Sequence, residues 1–186
     1  MMRLVRQILS RFHALARDNR GIAAVEFALV VPVMLVMYMG SIELSDAITV
    51  DRRLSHVAGA LGDLVSRTDG NLPSATLTDY FKAAQGVFTP YKTASLKQVI
   101  TLVYVDNSGS ATVTWSQGYN GGVAHTADAD YDLPSEMASI SKDSYVVVAE
   151  AFYSYAPLMS YFFSTNFALS KQYFYMPRYG EAITLT

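Results

Sequence analysis

From Ile22 to Ile42 the chain reads IAAVEFALVVPVMLVMYMGSI, 21 residues with a single charge. No other feature restricts the fold so tightly. As a helix rising about 1.5 Å per residue, the run spans roughly 31 Å, which matches the hydrocarbon core of a bilayer. A buried helix of a globular domain is usually shorter and keeps some polar periodicity, so a membrane span is expected over 22–42. Arg3, Arg6, Arg11, Arg17 and Arg20 all precede the span. Positive charge beside a first span holds that end in the cytoplasm and sends the rest of the chain outward. Arg52 and Arg53 weaken the asymmetry, but they are fewer and lie near Glu43, Asp46 and Asp51. The nearest small-x-small site for a secretory peptidase, Ala58-Gly59-Ala60, comes about sixteen residues too late, so the apolar run is expected to stay in the mature protein.

Composition divides the chain into unlike parts. Apolar residues make up 51% and charged residues 16%, which excludes disorder throughout. Five arginines and one aspartate give the first 21 residues a charge of +4, leaving −6 on the remaining 165 against a total of −2. That acidic body lacks the Lys and Arg density that phosphate binding needs, so no nucleic-acid partner is expected. The sequence has no cysteine, which removes disulfides, thiol nucleophiles and thiolate metal sites. The 186 residues leave room for one ordinary domain plus an appendage. They are read as a basic cytoplasmic leader over 1–21, the transmembrane helix over 22–42, a stalk helix over 43–69 and an exported α+β domain over 70–186.

Beyond the span, Ile48, Leu54, Val57, Leu61, Leu64 and Val65 recur mostly at three- and four-residue steps, predicting that the helix continues as an amphipathic stalk. Asp51, Arg52, Arg53, Asp63 and Arg67 would then face water or a neighbouring subunit. Asn71-Leu72-Pro73-Ser74 reads as a turn into a second helix over Ser74–Gln85, with Leu77, Tyr80, Phe81 and Ala84 inward. Gln98–Val105, Ala111–Ser116, Tyr145–Tyr155 and Lys171–Arg178 are rich in β-branched and aromatic residues, predicting strands. The fold class is therefore α+β, with a long amino-terminal helix packed on a small antiparallel sheet. Gly118–Ile140 is a long excursion. Twelve of the 23 aromatics fall between Tyr145 and Tyr179. They either pack the stalk helix or form a subunit contact through Tyr155, Tyr161, Phe162 and Phe163.

Glu26 lies near the start of the span, where an ionisable group is expensive: about 2.5–3.5 kcal/mol at a helix centre and less near an end. Two compensations are open. The side chain can snorkel to the cytoplasmic headgroups beside Arg20. Alternatively, a cut between Gly21 and Ile22 would create an amino group at the membrane surface to neutralise Glu26, within one subunit or between two.

The stretch Arg20-Gly21-Ile22-Ala23-Ala24-Val25-Glu26-Phe27-Ala28-Leu29-Val30-Val31-Pro32 resembles the start of TadE/TadG-like pseudopilins, minor components of the Tad (tight adherence, type IVc) pilus system. The resemblance implies a pilin-like fold and a prepilin-type peptidase cutting after Gly21, with Glu26 and Phe27 in the Glu-Phe/Tyr positions of this pilin class. Ala111–Ser116, Ala149–Leu158 and Met176-Pro177-Arg178 resemble later family blocks. The implied partners are the inner membrane, the prepilin peptidase, other Tad pilins and pilus assembly proteins. The implied location is a single-pass inner-membrane protein with a cytoplasmic amino terminus and a periplasmic domain, the extracellular pilus being a second station. Pro32 frees the carbonyl of Ala28, which is either a tolerated defect or a flexible point that helps the subunit leave the bilayer.

Three acidic or polar constellations have residue types that could carry chemistry. Asp106-Asn107-Ser108-Gly109-Ser110 matches the D-x-S-x-S pattern of von Willebrand A metal sites, but a strand pattern follows it, so a hairpin is expected. Asp128, Asp130 and Asp132, with Glu136, have calcium-loop spacing, yet Leu133 stands at the turn glycine and Ser139 at the closing glutamate, leaving a solvated acidic loop preferred. His13, His56 and His125 are dispersed, without a triad or metal-ligand spacing. No cofactor and no enzyme are expected. The alternative to a pilin is a permanently anchored exported binding or sensor module using the acidic loop.

Overall fold

The computed structural model describes residues 21–157 and 165–186. The leader arginines, His13, and Tyr161, Phe162 and Phe163 of the expected subunit contact lie outside the described residues. The chain divides after Leu44 into two units. In the first, every described residue from Ile22 onward belongs to helix α1 (Ile22–Ser66), which contains Pro32. The run of hydrophobic residues explains its form: Leu, Met and Ala favour helix, and no glycine interrupts it before Gly40.

The second unit begins with the remainder of α1 and continues through β1 (Asn71–Leu72), α2 (Ser74–Gly86), β2 (Leu96–Val105), β3 (Ala111–Tyr119), α3 (Ser135–Ile140), β4 (Ser144–Tyr155), β5 (Phe167–Tyr175) and β6 (Thr184–Leu185). Four strands form one sheet in the order β3-β2-β4-β5, every neighbour antiparallel. The expected α+β class, a long helix on a small antiparallel sheet, is what the structure shows. Asn71–Leu72, expected as a turn, instead pairs in parallel with Thr184–Leu185. A two-residue strand is too short to carry a periodic signal, and its partner lies far along the chain.

Val50, Leu54, Val57, Leu61 and Val65 are fully buried on one side of α1. Their four-, three-, four- and four-residue steps keep one helical face inward. Ile48, expected in this stripe, is 46% exposed, because two residues before Val50 is more than half a turn away from it. Leu64 is only partly buried. The stripe meets Ile100, Leu102, Val147, Ala149 and Ala151 of the sheet together with Phe81 and Phe88. Each such side chain, fully buried, stabilises by roughly 1.5–3 kcal/mol. Gly62 allows close approach: a Cβ there would lie 2.5 Å from the Tyr175 ring.

On the polar side of the stalk Arg52 and Arg67 are exposed, as the sequence suggested, while Asp51, Arg53 and Asp63 are half-buried and bind other elements of the second unit. Asp51 pairs with Lys171 of β5 at 2.8 Å, and Asp63 with Arg178 at 3.1 Å and with Arg67. The Arg67 hydrogen bond, with the two guanidinium charges, holds the Asp63 carboxyl below the usual carboxylate range. Arg53 donates to the carbonyls of Val87 and Thr89, tying α1 to the loop after α2. Long cationic side chains on a helix flank reach past the apolar stripe to whatever that stripe docks on.

Strand alternation gives the sheet a second buried face. Val103, Val105, Ala111, Val146 and Val148 pack there with Leu133, Tyr131, Met137 and Phe174. The excursion after β3 supplies much of that cover. Its backbone also closes the β3 edge through Val113 N to Ala129 O (2.9 Å), Asp128 N to Val113 O (2.9 Å) and Tyr131 N to Ala111 O (2.8 Å). An edge strand covered in this way is blunted against pairing with another chain.

Candidate functional site

The first unit presents an apolar surface. Phe27 is 68% exposed and Leu29 70%, and none of the most apolar window of the helix is buried. Contiguous apolar surface on this scale marks a contact with lipid or protein. Gly21 immediately precedes α1, Ile22 is its first residue, and Glu26, Phe27 and Pro32 follow within it, all exposed. A Cβ at Gly21 would meet nothing within 4 Å. Arg20, one candidate partner for Glu26, lies outside the described residues.

Asp46 opens the second unit with a different arrangement. Its Oδ1 accepts from the Tyr91 hydroxyl at 2.7 Å and its Oδ2 from the Tyr155 hydroxyl at 2.8 Å. The Arg53 guanidinium lies 5.8 Å from the Tyr91 ring centroid, within cation–π range. Burial, then the bond to Asp46, pushes the Tyr91 hydroxyl up to about 12, because ionising it would put a second negative charge beside the carboxylate. Tyr155 is buried in the core that packs on α1, in line with the first of the two readings of these aromatics, so it is not available to the alternative subunit contact. Sequence reading missed the cluster, since Asp46 and Tyr155 are 109 residues apart.

The excursion assembles a second cluster. Glu150, on β4, accepts from His125 Nε2 at 2.7 Å and from Gln172 Nε2 at 3.4 Å. An ionised carboxylate only accepts, which makes His125 the donor through Nε2–H. Gln172 also donates to the Tyr131 hydroxyl at 2.7 Å, and His125 meets the Tyr131 ring edge-on. Burial, then the Glu150 charge, raises the Tyr131 hydroxyl well above its ordinary value. The backbone N–H of His125 donates to Ser116 Oγ, which is 2.8 Å from Thr101 Oγ1. These groups bind one another and fasten the excursion to the sheet. The dispersed histidines gave no sign of it, because Glu150 and Gln172 come from strands far from His125 in sequence.

The weak metal candidates fall on the same excursion. Asp130 bridges to Thr112, and Asp128 adopts φ +63°. Among the described residues, no group of three or more His, Asp or Glu is placed to hold a metal ion. Asp106 accepts from Ser108 Oγ (2.7 Å) and Ser110 N (2.8 Å) inside the β2–β3 hairpin. The Ser108 bond, followed by the backbone donor of Ser110, holds its carboxyl below the usual range.

With this geometry in view, residues 21–60 match the family model described as TadE-like protein. The match lies on α1 and is consistent with a TadE/TadG-like protein, as the resemblance of Arg20–Pro32 implied. It suggests a Tad pilus-associated protein, and the apolar helix near the amino terminus, the one among the described residues long and apolar enough to cross a membrane, fits a membrane anchor. No curated protein and no solved structure matches the chain.

Proposed function

We propose that this TadE-like chain is a minor pilin, or pseudopilin, of a Tad-type pilus system, anchored in the inner membrane and then incorporated into the fibre or engaged in its assembly. The observation that carries the reading is the exposed apolar run at the start of α1, from Ile22, with the acid Glu26 near its start, within the TadE-like match. The role is structural, with no catalytic step. A prepilin peptidase cuts between Gly21 and Ile22, and the freed Ile22 amine pairs with Glu26 in a low-dielectric helix bundle. Breaking such a pair strands a charge at a cost of about 3–5 kcal/mol, which favours assembly in register. Phe27 packs in the same bundle, Pro32 gives the helix a point of give, and the second unit faces the periplasm.

Amino-terminal sequencing and mass spectrometry of protein from cells that express the assembly machinery test this. A chain beginning at Ile22 supports the pilin. Recovery of only Met1 or Met2 species overturns processing and favours the anchored binding module. Glu26→Ala is expected to insert in the membrane normally and to block assembly; normal piliation in that variant would remove the role given to the carboxylate.

A further inference from the structure

At the end of β3 the chain reverses through Tyr119-Asn120-Gly121-Gly122, closed by the Gly122 N–H donating to the Tyr119 carbonyl at 3.0 Å. Asn120 (φ 51°) and Gly121 (φ 83°) are both left-handed, the combination that a type I′ turn requires and that Asn-Gly adopts most readily. The asparagine does more than shape the turn. Its Nδ2 donates to the carbonyls of Leu96 at 2.8 Å, Thr93 at 2.9 Å and, more weakly, Ala94 at 3.4 Å. Two amide hydrogens are thus shared among three acceptors on the segment that leads into β2. The backbone after the turn has no slack: a Cβ on Gly122 would run into the Gln98 carbonyl, and one on Gly118 into that of Gly122.

Asn-Gly is also the dipeptide best suited to an internal reaction, because glycine leaves its own nitrogen unshielded. The Gly121 nitrogen attacks Cγ of Asn120, the Cγ–Nδ2 bond breaks, and ammonia leaves with the proton from the Gly121 N–H, closing a five-membered imide. Water then adds to either imide carbonyl, giving aspartate or isoaspartate. In the fold, the nitrogen that must depart is the atom held by the three carbonyls. We propose that Asn120-Gly121 is a modification site that the native turn shields and unfolding exposes, and that imide hydrolysis there is a one-way exit from the fold. An ionised carboxylate only accepts hydrogen bonds, so aspartate at this position turns an anionic oxygen toward the carbonyls of Thr93, Ala94 and Leu96. Isoaspartate lengthens the main chain just where Gly122 is wedged against Gln98. The sequence contains Asn-Gly only here.

Full-length protein in detergent is incubated for days in mildly alkaline buffer, with or without enough urea to unfold the second unit. Peptide mass spectrometry and isoaspartyl methyltransferase labelling follow the conversion. Asn107-Ser108, exposed in the β2–β3 hairpin, reports what urea does to the reaction itself. Conversion at Asn120 should be at least about tenfold slower in native protein than in urea, because it waits on local opening. It should also be suppressed more than conversion at Asn107. Native conversion at the urea rate, or suppression no greater than at Asn107, overturns the shielding. Asn120→Gly keeps the turn but removes the clamp and the reaction, whereas Asn120→Asp adds the repulsion. The melting temperature should fall from wild type to Asn120→Gly and further to Asn120→Asp. Failure of Asn120→Asp alone to fold gives the same order. An Asn120→Asp chain as stable as Asn120→Gly overturns the one-way exit.

Discussion

At Asp46 one carboxylate holds two tyrosine hydroxyls from separate parts of the chain, and the energetic consequence appears in alkali. Tyr91 has its hydroxyl raised from 10.0 to about 12 in the fold. A raised folded value means the native state keeps its proton longer than the unfolded chain does, so the stabilisation is complete below pH 10 and is lost as pH rises toward about 12. Denaturant titrations across that window should show wild-type stability falling more steeply than that of Tyr91→Phe; parallel curves would contradict the assignment. Gly62, further along α1, is decided by sterics. Alanine normally gains roughly 1 kcal/mol over glycine in a helix, but a Cβ here would sit 2.5 Å from Tyr175 Cδ2 and Cε2. Overpacking of about 1–3 kcal/mol should win. Gly62→Ala is expected to lower the melting temperature, and Tyr175→Ala in the same chain should remove most of the clash, which a double-mutant cycle would measure.

Among elements, the excursion between β3 and β4 departs most from its sequence appearance. Its acids Asp128, Asp130, Asp132 and Glu136 are exposed, as the solvated-loop reading had it, but Tyr131, Leu133 and Met137 between and after them cover the second face of the sheet. His125 fastens that cover through Glu150, which is only 9% exposed. His125→Ala takes a hydrogen bond from a largely buried carboxylate, costing about 1–3 kcal/mol. Hydrogen exchange should then accelerate at the amides of Val113, Asp128 and Tyr131, which close the β3 edge, while those of β4 pairing with β2 remain slow. Unchanged exchange at the edge would mean that apolar packing alone holds the cover. Helix α1 shows the opposite balance, since its buried stripe follows from spacing alone once Val50 replaces Ile48.

For the molecule as a whole, the division after Leu44 separates two kinds of stability. The fully buried core of the second unit draws on residues from Val50 onward, with Ala47 packed against it, and all of these belong to the second unit. A chain starting at Ser45 is expected to be soluble without detergent and to melt within a few degrees of the full-length protein in detergent, as followed by circular dichroism. Loss of its cooperative transition would show that the amino-terminal helix contributes to the core. The apolar run over 22–42 leaves its large side chains exposed and calls for lipid or other helices around it.

What the sequence determined by itself is local or periodic. The apolar run, the helical stripe around Leu54–Val65, the helix after Pro73, the hairpin at Asp106–Ser110 and the TadE-like start are legible because neighbours in sequence are neighbours in space there. The tertiary structure alone decided the parallel pairing of Asn71–Leu72 with Thr184–Leu185, the grip of Asp46 on Tyr91 and Tyr155, and the union of His125 with Glu150 and Gln172. These contacts join residues whose separation along the chain carries no periodicity. Their partners are selected only after α1 and the sheet have buried their apolar faces, when a polar group left inside must find whichever donor or acceptor the packing has brought within reach.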